Sequence, residues 1–140
     1  MVHSCSTAVP FGLIRAAGAD AVSFDLSQLR RGEEDAVAEA AEAGLGLLTG
    51  AIPAVVVEPG GGARETAPPG EARETAERVL RLWQRVGLPP ATAADQAVIT
   101  PACGLAGASP AQARAALTRC REAAAMLPEL IEETRGSQHD

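Results

Sequence analysis

Aromatic side chains are nearly absent: Phe11, Phe24 and Trp83 are the whole complement, 2% of 140 residues, and there is no tyrosine. Lysine is missing as well, so all twelve basic residues are arginines, set against 18 acidic residues and a net charge of −6. An acidic chain without rows of stacking rings lacks the footprint of a nucleic-acid binder. No stretch approaches the ~20 consecutive apolar residues of a membrane helix, which argues against a membrane-spanning protein. The first fifteen residues have no basic segment ahead of an apolar one, so no secretory signal is expected. The three cysteines, Cys5, Cys103 and Cys120, are too few and too odd in number for a disulfide framework. A reducing cytoplasm is therefore the expected compartment. There, cysteines serve as metal ligands, catalytic groups or core packing.

What is present is an ordinary globular apolar fraction, 46% of the chain, which excludes wholesale disorder. The length suits one domain of roughly 100–150 residues, expected over 1–135 with a polar tail at 136–140. Met1 to Cys5 has strand character, and Pro10 to Ala17 reads as a short helix stopped by Gly18. Ala21 to Leu26 reads as a buried strand. Glu33 to Ala43 is an Ala-rich helix whose acidic first turn, Glu33-Glu34-Asp35, suits the dipole and faces solvent. Leu45 to Thr49 is a third strand, and Glu58 to Pro69 reads as an exposed excursion.

Gly70 to Val86 places Ala76, Val79, Leu80, Trp83 and Val86 on one helical stripe. Ala97 to Thr100 is the fourth strand. Ser109 then caps a helix with Pro110 at its first position. That helix is expected to bury Ala113, Ala116, Leu117, Cys120 and Ala124 and to kink or break near Pro128. The order β-α-β-α-β-α-β-α predicts an α/β fold with a parallel sheet. Four βα units are half of a (β/α)8 TIM-type barrel, whose whole takes about 250 residues. The alternative is a small doubly wound sheet, but no Gly-rich turn follows its first strand.

Three features carry possible chemistry. Residues two apart on a strand share a face, so His3 and Cys5 can converge on one ion. Taken alone, that triplet fits a frayed N-terminus better. Cys103 lies just past the fourth strand, on the rim where parallel α/β folds place their sites, and fits a buried turn residue equally well. Asp25, at the end of the second strand, is by itself an ordinary turn or capping carboxylate. Together they read differently, because all four fall at C-terminal strand ends. One imidazole, two thiolates and a carboxylate make a zinc set. Cys120 sits on the last helix's apolar stripe as core, and His139 in the tail has no role.

These residues bring a family into view. V-H-S-C at Val2 to Cys5, G-A-D-A-V-S-F-D at Gly18 to Asp25 and I-T-P-A-C-G-L at Ile99 to Leu105 occur in an order that resembles the C-terminal part of cobalamin-independent methionine synthase. The short bacterial and archaeal form is the nearest in pattern. That family is a zinc-dependent (β/α)8 barrel related to uroporphyrinogen decarboxylases, so the resemblance implies the C-terminal half of such a barrel. It makes His3, Cys5 and Cys103 zinc ligands and puts Asp25 where the family has a ligating Glu. It also implies an S-methyltransferase that passes a methyl group from a methylated folate to the thiol of homocysteine, giving methionine. The family carries a histidine after the next strand, in an H-S-P context; Ala51-Ile52-Pro53 stands there in this chain. The front half of the barrel has no counterpart here. The expected partner is thus a complementary barrel half or a second copy. Two other readings stand beside this one: a zinc barrel methylating another thiol, and a non-catalytic half that works only through assembly.

Overall fold

The expected alternation is present in the computed structural model, which describes residues 1–54 and 71–136. Four strands, β1 (Val2–Ser4), β2 (Ala21–Asp25), β3 (Gly46–Ile52) and β4 (Ala97–Pro101), form one parallel sheet in the order β1-β2-β3-β4. Between and after them lie α1 (Phe11–Ala16), α2 (Glu34–Glu42), α3 (Glu71–Arg85), the single turn α4 (Ala93–Gln96) and α5 (Pro110–Gly136). The chain is α/β. Strand order follows sequence order without reversal, so the described sheet has no switch point of the kind that marks a doubly wound fold. The excursion expected at Glu58 to Pro69, and His139 in the tail, lie outside the described residues.

Local chemistry accounts for most of the boundaries. Gly44 ends α2 with φ of 85°, a left-handed value that strains any residue with a β-carbon. At α5 the Ser109 Oγ accepts from the Gln112 N–H at 3.2 Å, while Gln112 Oε1 accepts from the Ser109 N–H at 2.7 Å. Two N–H groups that the helix itself leaves unpaired are thus satisfied reciprocally.

Parallel register separates the two faces of the sheet. Val22 pairs with Leu47, and Phe24 with Thr49 and then Ile99; all five are buried. Phe11 of α1 meets Phe24 edge-on, with ring centroids 5.4 Å apart, and Trp83 of α3 is fully buried in the same core. The opposite face carries the row His3, Ser23, Leu48 and Val98, where Val98 is 52% exposed and His3 is exposed too. The helices therefore cover one face, as same-handed crossovers in an unreversed order require.

Several expectations change. β3 continues past Thr49 to Ile52, because Ala51 and Ile52 are buried and extend the apolar ladder. A 3-10 turn at Leu26–Gln28 and another at Pro90–Thr92 were not legible. Helix α5 runs through Pro128 rather than breaking there. Proline forfeits one backbone hydrogen bond, but Leu127, Leu130 and Ile131 on either side of it are all buried, and α5 packs along α3. The buried stripe of α5 also has a different phase: Ala116, Arg119, Cys120 and Ala123 face inward, while Leu117 and Ala124 are exposed. Arg119 is tolerated inside because Glu71 lies 3.7 Å from its guanidinium. Glu33 is more than a solvated dipole partner. Its carboxylate accepts from the Val9 N–H at 3.2 Å and the Arg30 N–H at 2.7 Å, joining two loops.

Gly50 sets the shape of the sheet's C-terminal rim. A β-carbon there would stand 2.6 Å from both the Phe24 carbonyl oxygen and the Ala102 Cα, and both are backbone atoms that cannot swing aside. Next to it, the β3–β4 register slips between Gly50 and Ile52, so one extra residue bulges from β3. Pro101 has no N–H to give, and the ladder resumes when the Ala102 N–H donates to the Ile52 carbonyl at 2.7 Å. Gly50→Ala is expected to lower stability by about 1–3 kcal/mol, the usual range for overpacking, as read by urea unfolding. Because Ala102 must move, the variant is also expected to displace Cys103 beside it.

Candidate metal centre

The rim formed by the C-terminal ends of β1, β2 and β4 holds the residues singled out above. His3 is the middle residue of β1, and Cys5, two positions after it, directly follows the strand, so the strand's alternation sends both to one side. Cys103 follows Ala102, whose backbone packs closely against Gly50. One ligand atom each of His3, Cys5 and Cys103 lies within 4.8 Å of the other two. Donors about 3.5–3.8 Å apart surround a tetrahedral zinc, given zinc–donor lengths of about 2.0–2.3 Å. The three side chains are exposed, and their donor atoms stand within about 1 Å of that spacing. In donor type, one imidazole and two thiols, the residues fit a zinc ion.

His3 is oriented by Ser23, its neighbour across the sheet, whose Oγ lies 3.0 Å from Nδ1. With Nδ1–H donating to that hydroxyl, the free lone pair is on Nε2. Metal-binding histidines are commonly fixed by such an outer contact. Ser23 is a residue that sequence reasoning missed. Only its presence in the V-S-F-D run, two positions before Asp25, hinted that it shares the rim-facing side.

Asp25 stands apart from the three-donor group. Its Oδ1 accepts from the Ser27 N–H at 2.8 Å and from the Ser27 hydroxyl at 2.7 Å, capping the 3-10 turn. Oδ2 has no hydrogen-bond partner among the described residues. Asp25 and Cys103 line the same cavity, of about 530 Å³. Three protein donors with an open fourth position is the pattern of zinc sites that take a substrate, whereas four protein donors close the ion off.

Ala51 is buried, and its backbone carbonyl accepts from Arg78 Nη2. Cys120 is buried on α5, and burial pushes its thiol pKa up, as befits a core residue. No helix among the described residues is long and apolar enough to cross a membrane. No protein-family model matches the chain, and no curated protein or solved structure matches it.

Proposed function

We propose that this chain is the zinc-binding half of a (β/α)8-type barrel that methylates a thiol. The reaction read from the resemblance is methyl transfer from a methylated folate to homocysteine, giving methionine. One observation carries the proposal: two thiols and an imidazole, contributed by β1 and by a turn almost a hundred residues later, meet within 4.8 Å at the C-terminal rim. A parallel sheet wound without reversal, with His3 and Val98 exposed on its inner row, supports the half-barrel reading.

In this reading His3, Cys5 and Cys103 hold the ion, with Asp25 beside it at the cavity wall. Bound zinc would supply Lewis acidity that keeps a substrate thiol deprotonated near neutral pH. Ser23 fixes the imidazole ring, and Gly50 lets the Cys103 turn approach. Overall, the thiol loses its proton, its sulfur gains the methyl group, and the donor nitrogen must gain a proton as the N–CH3 bond breaks. The family histidine stands where that proton is supplied; Ala51 carries none. That substitution favours a second reading, a zinc thiol site of the same build that uses another thiol or no longer transfers methyl groups.

Among the described residues the outer edges of β1 and β4 are unpaired and His3 and Val98 of the inner row are exposed, which calls for a complementary half or a second copy of the chain. Two free thiols at the site suit a reducing cytoplasm. Elemental analysis after exhaustive dialysis is expected to give about one zinc per chain. Methionine formation from a methylated folate, assayed with a front barrel half supplied, separates the two readings. Zinc near zero after saturation with the ion overturns both.

A further inference from the structure

The cavity beside the metal centre has a second chemical character. Of its charged lining residues, Arg78, Arg81 and Arg85 come from one side of α3, and Asp25 faces them. Two positive charges in excess therefore line one concavity on a chain whose net charge is −6. The arginines are weakly committed. Arg81 lies 3.5 Å from Glu77, which also pairs with Arg73 at 3.1 Å, and Arg85 lies 3.5 Å from Glu34. Arg78 donates to the Ala51 carbonyl and has no carboxylate partner among the described residues. Long, exposed ion pairs of this kind contribute little and are readily exchanged for a ligand's charges. Apart from Ser27 and Cys103 the remaining wall is apolar, including Leu26, Pro53 and Ala54, and the volume of about 530 Å³ suits a small organic molecule.

We infer that this cavity binds a small organic anion carrying at least two negative charges, as carboxylates or phosphates, with its apolar body against the Leu26–Pro53 wall. Guanidinium groups in a row match planar carboxylates and phosphates by paired N–H donors, which a point charge cannot do. The inference stands on the cavity and its arginines, and does not depend on zinc.

Calorimetric titration of the full chain at low salt tests it, with tricarballylate as the carboxylate probe and pyrophosphate as the phosphate probe. Saturable binding of one probe per chain is expected, and whichever binds tighter identifies the anion class. Arg78→Gln and Arg81→Gln are expected to weaken it roughly tenfold or more, the usual loss for a hydrogen bond to a charged group. Arg121→Gln, on the exposed side of α5, is expected to leave it unchanged. Both probes chelate metals, so the titration is repeated on Cys5→Ser, which lies outside the cavity wall and keeps the anion site even if the metal is lost. Absence of saturable binding by either probe, or equal weakening by Arg78→Gln and Arg121→Gln, overturns the inference.

Discussion

Cys103→Ser is expected to take bound zinc from about one per chain to less than a tenth, while far-UV circular dichroism keeps its α/β shape. The thiol is exposed and contributes little packing, so losing it removes a ligand without opening a cavity in the core. A hydroxyl is a poor zinc donor beside the thiolate it replaces. Thermal unfolding gives the same answer independently. An ion that binds only the folded chain adds stability as RT ln(1 + [Zn]/Kd), about 2.7 kcal/mol at a hundredfold excess over Kd. The unsubstituted chain is therefore expected to melt higher as zinc is added, and Cys103→Ser to melt at one temperature whatever the zinc. Affinity is expected to rise with pH, because a cysteine must shed its proton to ligate. A Cys103→Ser chain that still carries stoichiometric zinc would sink the metal-centre reading.

Trp83→Ala is expected to cause the largest loss of stability of any single truncation in this core. Trp83 is the only tryptophan, is fully buried, and fills the space between α3 and the segment entering β4. Its indole N–H donates to Thr92 Oγ1 at 3.1 Å, and that hydroxyl donates to the Pro89 carbonyl at 2.9 Å. In a chain with two other aromatic rings, no neighbour can relax into a void of that size. Truncating a buried Trp costs about 3–5 kcal/mol, against a total of about 5–15 kcal/mol for a domain. At roughly 3–5 °C per kcal/mol for this size, the midpoint falls by roughly 10–20 °C. Trp83→Phe keeps most of the volume and loses the hydrogen bond, so about 1–2 kcal/mol is expected. Urea unfolding followed by circular dichroism measures both; a loss below 1 kcal/mol for Trp83→Ala would contradict the packing described.

Much of the fold was legible because its signals are local. The α3 stripe through Ala76, Val79, Leu80 and Trp83 combines a strong 3.6-residue period with charged residues between, and all four are buried. The α5 stripe was misphased for the opposite reason. An Ala-rich helix presents several faces of nearly equal hydrophobicity, so docking against α3 decides which one is buried, and Arg119 goes inside with Glu71 while Leu117 stays 50% exposed. Of the kink or break expected at Pro128 the break is absent, because the buried leucines on both sides of it keep the helix going.

By itself, the sequence determined the alternation of elements, the place of Asp25 at the end of β2 and of Cys103 just past β4, and the core role of Cys120. Those follow from side-chain periodicity and from residue chemistry, which act over a few neighbouring positions. Only the tertiary structure decided that three of the four donors form one group while Asp25 turns its Oδ1 to Ser27. The β1–β2 register put Ser23 against the His3 ring, and the close backbone approach at Gly50 brought Ala102, next to Cys103, against β3. Tertiary packing likewise set three arginines of α3 around a cavity shared with Asp25 and Cys103. Register, bulges and helix docking depend on contacts between residues far apart in the chain, and no local pattern encodes those distances.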